Sequence, residues 1–103
     1  MRVILIHGYK ATPKSGFFPW LERELRARDF DVVIPELPNP EEPDRDVWTE
    51  TLVKTCAPLK ETDIIVGHSL GGAAALRMLE AAEARSTPHA MVMVSTPWMI
   101  KDD

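Results

Sequence analysis

A serine flanked by glycines is the feature of this sequence best suited to chemistry. Residues 67–71 read Gly-His-Ser-Leu-Gly, an apolar run at residues 64–66 precedes them, and a small-residue pattern typical of a helix follows. A strand, a sharp turn and a helix in this order predict a nucleophile elbow, which exposes the Ser69 hydroxyl at the positive end of the helix. Gly67 and Gly71 leave the room that such a strained turn needs. The alternative is an ordinary glycine-rich turn.

Strands and helices in alternation must position this serine. Apolar runs predict strands at residues 3–6, 32–34, 64–66 and 91–94. Helical spacing predicts a helix over residues 17–28, a second one capped by Asp44 and carrying an apolar face to Leu59, and a third from the elbow to about Arg85. Four strands separated by three helices predict an α/β fold. We expect a parallel sheet with helices on both faces and one domain over residues 1–103.

Three polar segments follow strand ends and therefore share one edge of the predicted sheet. They are residues 7–9 (His-Gly-Tyr), the Ser69–Leu70 pair and residues 95–98 (Ser-Thr-Pro-Trp). Ligands of open parallel sheets bind at the carboxyl ends of the strands. The convergence predicts a binding or catalytic site at this edge.

Composition narrows the class of protein. The chain has 103 residues, 45% of them apolar and 27% charged, with a net charge of −4. A mildly acidic domain is a poor candidate for binding nucleic acid or an anionic membrane. The single cysteine, Cys56, suits a reducing compartment, and neither a signal peptide nor a membrane-length apolar run is evident. We expect a cytoplasmic protein.

The sequence argues against a nucleotide, dinucleotide or metal site. Residues 8–15 differ from the phosphate-binding pattern Gly-x-x-x-x-Gly-Lys-Ser only at Pro13. Proline cannot donate an N–H to a phosphate or adopt the positive φ that the loop needs. No dinucleotide fingerprint is present, and the three histidines and one cysteine lack paired ligand spacing. We therefore expect no cofactor and no metal.

The motifs resemble those of the α/β-hydrolases. They are the His-Gly-Tyr segment at residues 7–9, Leu-Pro-Asn-Pro at 37–40 and Gly-His-Ser-Leu-Gly-Gly at 67–72. Phe-Pro-Trp-Leu at residues 18–21 and Asp-x-Trp at 46–48 are similar to the small serine hydrolases of the retinoblastoma-binding protein 9 and YdeN type. The resemblance covers essentially the whole chain, but only about the N-terminal half of the family's domain. It implies a partial α/β-hydrolase fold with the strand order 2-1-3-4.

This resemblance implies an esterase-like serine hydrolase that acts on small esters or amides through an acyl-enzyme. Ser69 would be the nucleophile, and the N–H groups of Leu70 and Tyr9 would form the oxyanion hole. His7, Gly8 and Trp98 are the candidate substrate-binding residues. Alternatively, His7 only ties the loop down or serves as an improvised base, and Trp98 belongs to the core. His68 would point away from the reacting carbonyl.

The chain departs from the family in its triad. α/β-Hydrolases place an acid and then a histidine after the nucleophile. The only downstream histidine, His89, precedes the fourth predicted strand and should lie at the opposite edge of the sheet, so the triad acid and histidine are not expected in this chain. Asp102 and Asp103 could reach the right edge, but an acid without a base does not activate serine.

Three explanations remain open: a fragment, one half of a split enzyme, or a short protein that binds rather than catalyses. The isolated chain is then expected to be inactive. The β-rich residues 91–94 would leave an apolar sheet edge, which predicts pairing with a protein partner or a second copy. The function is thus either a serine hydrolase completed by a missing part or a catalytically silent protein-binding module.

Overall fold

A computed structural model describes residues 1–82 and 88–94 of the chain. Strands and helices alternate as follows: β1 (Arg2–Ile6), α1 (Phe18–Ala27), β2 (Asp31–Val33), α2 (Arg45–Cys56), β3 (Ile64–His68), α3 (Leu70–Ala81) and β4 (Ala90–Val94). The four strands form one parallel sheet in the order β2-β1-β3-β4. The predicted fold class and strand order are confirmed.

The sheet has a separate apolar layer on each face because its buried strand residues alternate in direction. On one face, Ile4, Ile6 and Ile65 pack against α2 and α3. On the other, Val3 and Leu5 pack with α1, whose inward side chains include Phe18, Leu21 and Leu25. Helices therefore cover both faces, as the alternation of elements predicted.

Helix α2 begins where the sequence placed it and ends earlier than predicted. The Asp44 side chain accepts hydrogen bonds from the N–H groups of Asp46 and Val47, both at 3.0 Å, and so caps the first turn. The helix stops at Cys56, two residues before Pro58, so the expected extension of its apolar face to Leu59 is wrong. Proline disfavours helical angles in the residue before it, which accounts for the earlier end.

Helix α3 is built to approach the sheet closely. Its buried residues are mostly small: Gly71, Gly72, Ala74, Ala75 and Met78. The helix ends at Ala81, earlier than the predicted end near Arg85, which lies outside the described residues. Small side chains let the first turn of α3 lie directly against the backbone of β1.

An ion pair joins the opposite end of the sheet. Arg2 on β1 donates to both carboxylate oxygens of Asp63, at 3.1 and 2.6 Å, and to the carbonyl of Cys56 at 2.9 Å. Asp63 is fully buried and also accepts the N–H of Lys60 at 2.8 Å. These bonds connect β1, the end of α2 and the start of β3, at the edge away from the elbow.

Candidate active site

Ser69 occupies the turn between β3 and α3 with an unusual backbone conformation. Its φ and ψ are 57° and −128°, a region that residues other than glycine adopt only when the surrounding structure enforces it. The turn is held by the Ser69 N–H, which donates to the Val94 carbonyl at 2.9 Å, and by the Gly72 N–H, which donates to the Ser69 carbonyl at 3.1 Å. This is the strand–turn–helix geometry that the motif predicted.

The flanking glycines are required by contact between backbones. A Cβ atom on Gly67 would lie 2.5 Å from the Gly72 Cα and 2.7 Å from the Gly72 nitrogen. A Cβ atom on Gly71 would overlap the carbonyl oxygen of Ile6. Neither position can accept a side chain unless the backbone moves. The elbow is therefore pressed against the end of β1.

The loop after β1 lies against the elbow through Gly8. A Cβ atom at Gly8 would stand 2.9 Å from the Leu70 nitrogen and 3.0 Å from the Ser69 Cβ. Gly8 thus brings the following residue, Tyr9, beside the start of α3. The Tyr9 ring is half exposed, so its backbone rather than its side chain is fixed by this contact.

Two N–H groups near Ser69 have no partner in the described part of the chain. The Tyr9 N–H makes no hydrogen bond there, and neither does the Leu70 N–H at the first position of α3. The neighbouring Lys10 N–H, in contrast, donates to the Pro40 carbonyl at 2.8 Å. Unpaired N–H groups at a helix start are suited to stabilise a negative oxygen.

The Ser69 hydroxyl is also uncommitted. Its side chain does not cap α3 and has no hydrogen-bond partner among the residues that the structure describes. The residue is partly exposed. The Ser69 hydroxyl and two unpaired N–H groups therefore lie at the same end of the central strands β1 and β3.

His7 anchors the loop from inside. The N–H of Leu37 donates to its Nε2 at 3.0 Å, so Nε2 carries no proton, and its Nδ1 can donate to the Gly8 carbonyl at 3.2 Å. The ring is 1% exposed and packs edge-on against Trp48, with the ring centroids 5.9 Å apart. Burial lowers the pKa of His7, against the opposing effects of the Gly8 carbonyl and Glu36.

These contacts decide between the roles expected for His7. Both ring nitrogens are already engaged, so neither is available to accept a proton from Ser69. The structure therefore supports the anchoring role over that of an improvised base. The predicted contact of the His7 ring with substrate has almost no exposed surface to use.

The other two histidines lie away from the hydroxyl. His68 packs edge-on against Phe17 and Phe18, with centroid distances of 5.2 and 6.3 Å, on the α1 side of the sheet. The His89 N–H donates to the Asp63 carbonyl at 2.8 Å. Asp63 immediately precedes β3 and Ser69 follows it, so His89 and Ser69 lie at opposite edges of the sheet. Both placements agree with the sequence predictions.

The remaining site predictions fall on residues 95–103. Trp98, Asp102 and Asp103 lie outside the described residues. Within residues 1–82 and 88–94, no group of three or more His, Cys, Asp or Glu side chains is arranged to hold a metal ion. In the same part of the chain, no helix is both long and apolar enough to cross a membrane.

Two depressions include residues of the candidate site. One, of about 550 Å³, lies between the Tyr9–Lys10 loop and residues 39–42. The other, of about 170 Å³, lies between α2 and α3 and includes Leu70. The sequence did not indicate the second one, because its walls come from two helices that no motif connects.

The proline-rich segment, residues 35–43, supports the site through hydrogen bonds to His7, Lys10 and Trp48. The Leu37 N–H donates to the His7 ring, and the Pro40 carbonyl accepts the Lys10 N–H. The Pro38 carbonyl accepts the indole N–H of Trp48 at 2.7 Å. Prolines at positions 35, 38, 40 and 43 indicated an irregular segment. They gave no sign of which groups it would hold.

The fold and the elbow have the arrangement found in serine hydrolases of the α/β class. A family model described as "Serine hydrolase" matches residues 3–102, and the chain belongs to this family.

Among individual proteins, the chain is similar to "Putative hydrolase YdeN" of Bacillus subtilis. The two are 37% identical over 94 residues, which cover 91% of this chain and 50% of the relative. The crystal structure of the B. subtilis ydeN gene product superposes with a TM-score of 0.86, covering 92% of this chain and 51% of that one. The chain thus spans about half the length of the relative it matches.

Proposed function

We propose that this chain carries the nucleophile and the oxyanion hole of a hydrolase that acts on small esters or amides. The Ser69 Oγ would attack the carbonyl carbon and transfer its proton to a general base. The N–H groups of Leu70 and Tyr9 would hold the developing oxyanion, each contributing about 3 kcal/mol. Departure of the alcohol or amine leaves an acyl-enzyme, which water then hydrolyses.

The backbone of Ser69 is the observation that carries this proposal. A serine held at φ 57° beside two unpaired N–H groups has its hydroxyl fixed where an acyl group can reach it. A module that only bound proteins would gain nothing from such strain, which costs on the order of 1–3 kcal/mol. Membership of the serine hydrolase family supports the same interpretation.

We further propose that the triad acid and histidine come from outside this sequence. The chain contains three histidines; His7 is engaged, His68 packs on α1, and His89 lies at the far edge of the sheet. A missing C-terminal part of the protein, or a partner chain that completes the sheet beyond β4, would supply them. A cytoplasmic location fits the buried, unpaired Cys56.

Chemical rescue tests the nucleophile without the missing base. A fluorophosphonate probe should label the 103-residue chain slowly, because the Ser69 proton has no acceptor. Imidazole in the buffer supplies one and should raise the labelling rate by about tenfold or more, since general bases contribute roughly 10²–10⁴. Phosphorus is attacked by the Oγ, fluoride leaves, and imidazole takes the proton.

Two variants make the result specific. Ser69→Ala should abolish the imidazole-dependent labelling, whereas Ser15→Ala, in a turn where the Ser15 Oγ accepts the Thr12 N–H at 2.9 Å, should retain it. Labelling that stays equal in Ser69→Ala and the unmodified chain would remove the hydrolase proposal. The protein-binding module would then be the better account.

A further inference from the structure

An apolar pocket lies between α2 and α3, and its lining includes Leu70, the residue that follows the nucleophile in the sequence. Its volume is about 170 Å³, and its apolar walls come from Pro43, Trp48, Leu70, Ala73 and Ala74. We call this space the α2–α3 pocket. Trp48 is held rigidly there, since its indole N–H bonds to the Pro38 carbonyl at 2.7 Å. The pocket is a formed feature next to the elbow.

The pocket runs along α3 from Leu70, the first residue of this helix. Leu70, Ala73, Ala74 and Arg77 line it from this helix, and a spacing of three, four and seven residues places them on one face. Seven residues of helix span about 10 Å. One end of the pocket is therefore the residue whose N–H would hold the oxyanion, and the other end is an arginine.

Among the described residues, two guanidinium groups and no carboxylate line this pocket. Arg45 on α2 and Arg77 on α3 are the charged residues of its lining. Within the described residues, Arg77 forms no ion pair, and Arg45 has one exposed contact of 3.5 Å with Asp46. Asp46 and Glu80 line the neighbouring outer groove, which shares both arginines, and not the pocket itself. The pocket therefore favours an anionic group at its outer end.

We propose that the α2–α3 pocket binds the acyl part of the substrate, and that this acyl group is a short apolar chain ending in a carboxylate. The preferred substrates would be half-esters or half-amides of dicarboxylic acids with about six carbons. A cavity of about 150 Å³ holds a molecule the size of benzene, so the volume fits such a chain. Arginine forks match carboxylates well. This inference rests on the proposed function, because it takes Ser69 as the reacting end.

Binding can be measured in the Ser69→Ala variant, where no reaction interferes. The probes are adipamate (the half-amide of adipic acid) and hexanamide, which has the same length without the carboxylate. Titration followed by ¹⁵N–¹H NMR should shift the amide signals of Leu70, Ala73 and Arg77. We expect adipamate to bind at least tenfold more tightly than hexanamide.

Two variants locate the preference. Arg77→Leu should reduce the tenfold advantage of adipamate to less than threefold, whereas Arg23→Leu, on the exposed side of α1, should keep it. Ala73→Leu should fill the pocket and weaken both probes by at least tenfold. The dispersion of the same spectra shows that each variant is folded.

Equal affinities for the two probes, or shifts confined to residues outside the pocket, would overturn the inference. Failure here is distinguishable from failure of the proposed function. Fluorophosphonate labelling of Ser69 depends on the nucleophile and imidazole, and not on an anionic acyl group. Labelling without an adipamate preference would leave the hydrolase proposal standing and remove this one.

Discussion

Single atoms decide whether a side chain is tolerated at the glycines of this site. At Gly8, a methyl group would stand 2.8 Å from the His68 carbonyl oxygen and 2.9 Å from the Leu70 nitrogen. Both neighbours are backbone atoms of the elbow and cannot rotate away. A side chain at Gly8 would therefore displace the loop that carries Tyr9.

Gly8→Ala should consequently impair the site more than the fold. Displacing one oxyanion donor costs about 10²–10³ in rate, so imidazole-dependent labelling of Ser69 should fall by at least tenfold. Gly16→Ala is the matched control, because Gly16 has φ +58° but nothing within 4 Å of its Cβ position. It should lower stability slightly and leave labelling unchanged. Equal labelling of both variants would contradict the proposed placement of the loop.

Asp63 illustrates a contribution to stability that comes from one buried charge. Burial by itself raises the pKa of this carboxyl group, but the hydrogen bonds from Arg2 and Lys60 outweigh it and lower the pKa. Asp63→Asn should lower the free energy of unfolding by about 2 kcal/mol, because it removes the charge that accepts the hydrogen bonds of Arg2, whose side chain is 24% exposed. Urea denaturation measures this change.

Glu24→Gln is the control for Asp63→Asn. Glu24 pairs with Arg28 at 2.7 Å on the surface of α1, and exposed pairs four residues apart contribute about 0.3–0.5 kcal/mol. The two substitutions remove a similar charge from opposite environments. Comparable losses of stability would show that the Arg2–Asp63 pair is not energetically distinct.

The buried His7 should make the fold sensitive to mild acid. Its pKa is lowered in the folded chain, so the unfolded chain binds the proton more readily. The stabilisation is complete above the unfolded pKa of about 6.5 and is lost as the pH falls through the lower folded value. Urea unfolding between pH 7.5 and 4.5 should show this decline. In His7→Gln, the part of the decline that begins near pH 6.5 should be absent.

At the scale of the elements, the cap of α2 offers a direct test of helix energetics. Asp44 accepts two N–H groups of the first turn, from Asp46 and Val47. Asp44→Ala should cost about 1 kcal/mol, while Asp44→Asn should be almost neutral, because asparagine caps equally well. Thermal unfolding followed by circular dichroism compares the two. A larger loss for asparagine than for alanine would contradict a capping role.

Local signals explain why so much of the element pattern was predictable. The strand ends, the Asp44 cap and the glycines around Ser69 are all visible within a few residues of sequence. Short apolar runs between them left little choice of strand position. The parallel sheet followed from the alternation of elements, and the strand order followed from the α/β-hydrolase resemblance.

What the sequence did not reveal depends on distant residues. Arg2 and Asp63 are 61 positions apart, and the His7–Leu37 bond spans 30 positions. No periodicity connects such partners. The early end of α2 was missed for another reason: the apolar spacing continued to Leu59, and the conformational effect of Pro58 on the preceding residue prevailed.

At the scale of the whole molecule, β4 is the edge strand of the described sheet and is exposed on both faces. Val92 and Met93 point in opposite directions, yet they are 47% and 43% exposed. Leu76 on the neighbouring helix is exposed as well. An apolar edge of this kind is suited to pairing with another strand, which supports the proposal of a partner or a second copy.

The 103-residue chain should therefore associate in solution. Light scattering should give a mass above that of the 11.6 kDa monomer. Val92→Lys should restore the monomer, because it places a charge on the edge strand β4. Val47→Lys, at an exposed position on α2, should leave association unchanged. A uniform monomer at all concentrations would refute the pairing of this edge.

The position of the site within the sheet determines how well it resists local unfolding. The loop with Tyr9 follows β1 and the elbow follows β3, and these strands are the paired inner members of the sheet. Amide hydrogens of inner strands exchange only through the largest openings of a protein. Local unfolding should therefore begin at the outer strands. The N–H groups of Tyr9 and Leu70 should keep their relative positions until the whole chain unfolds.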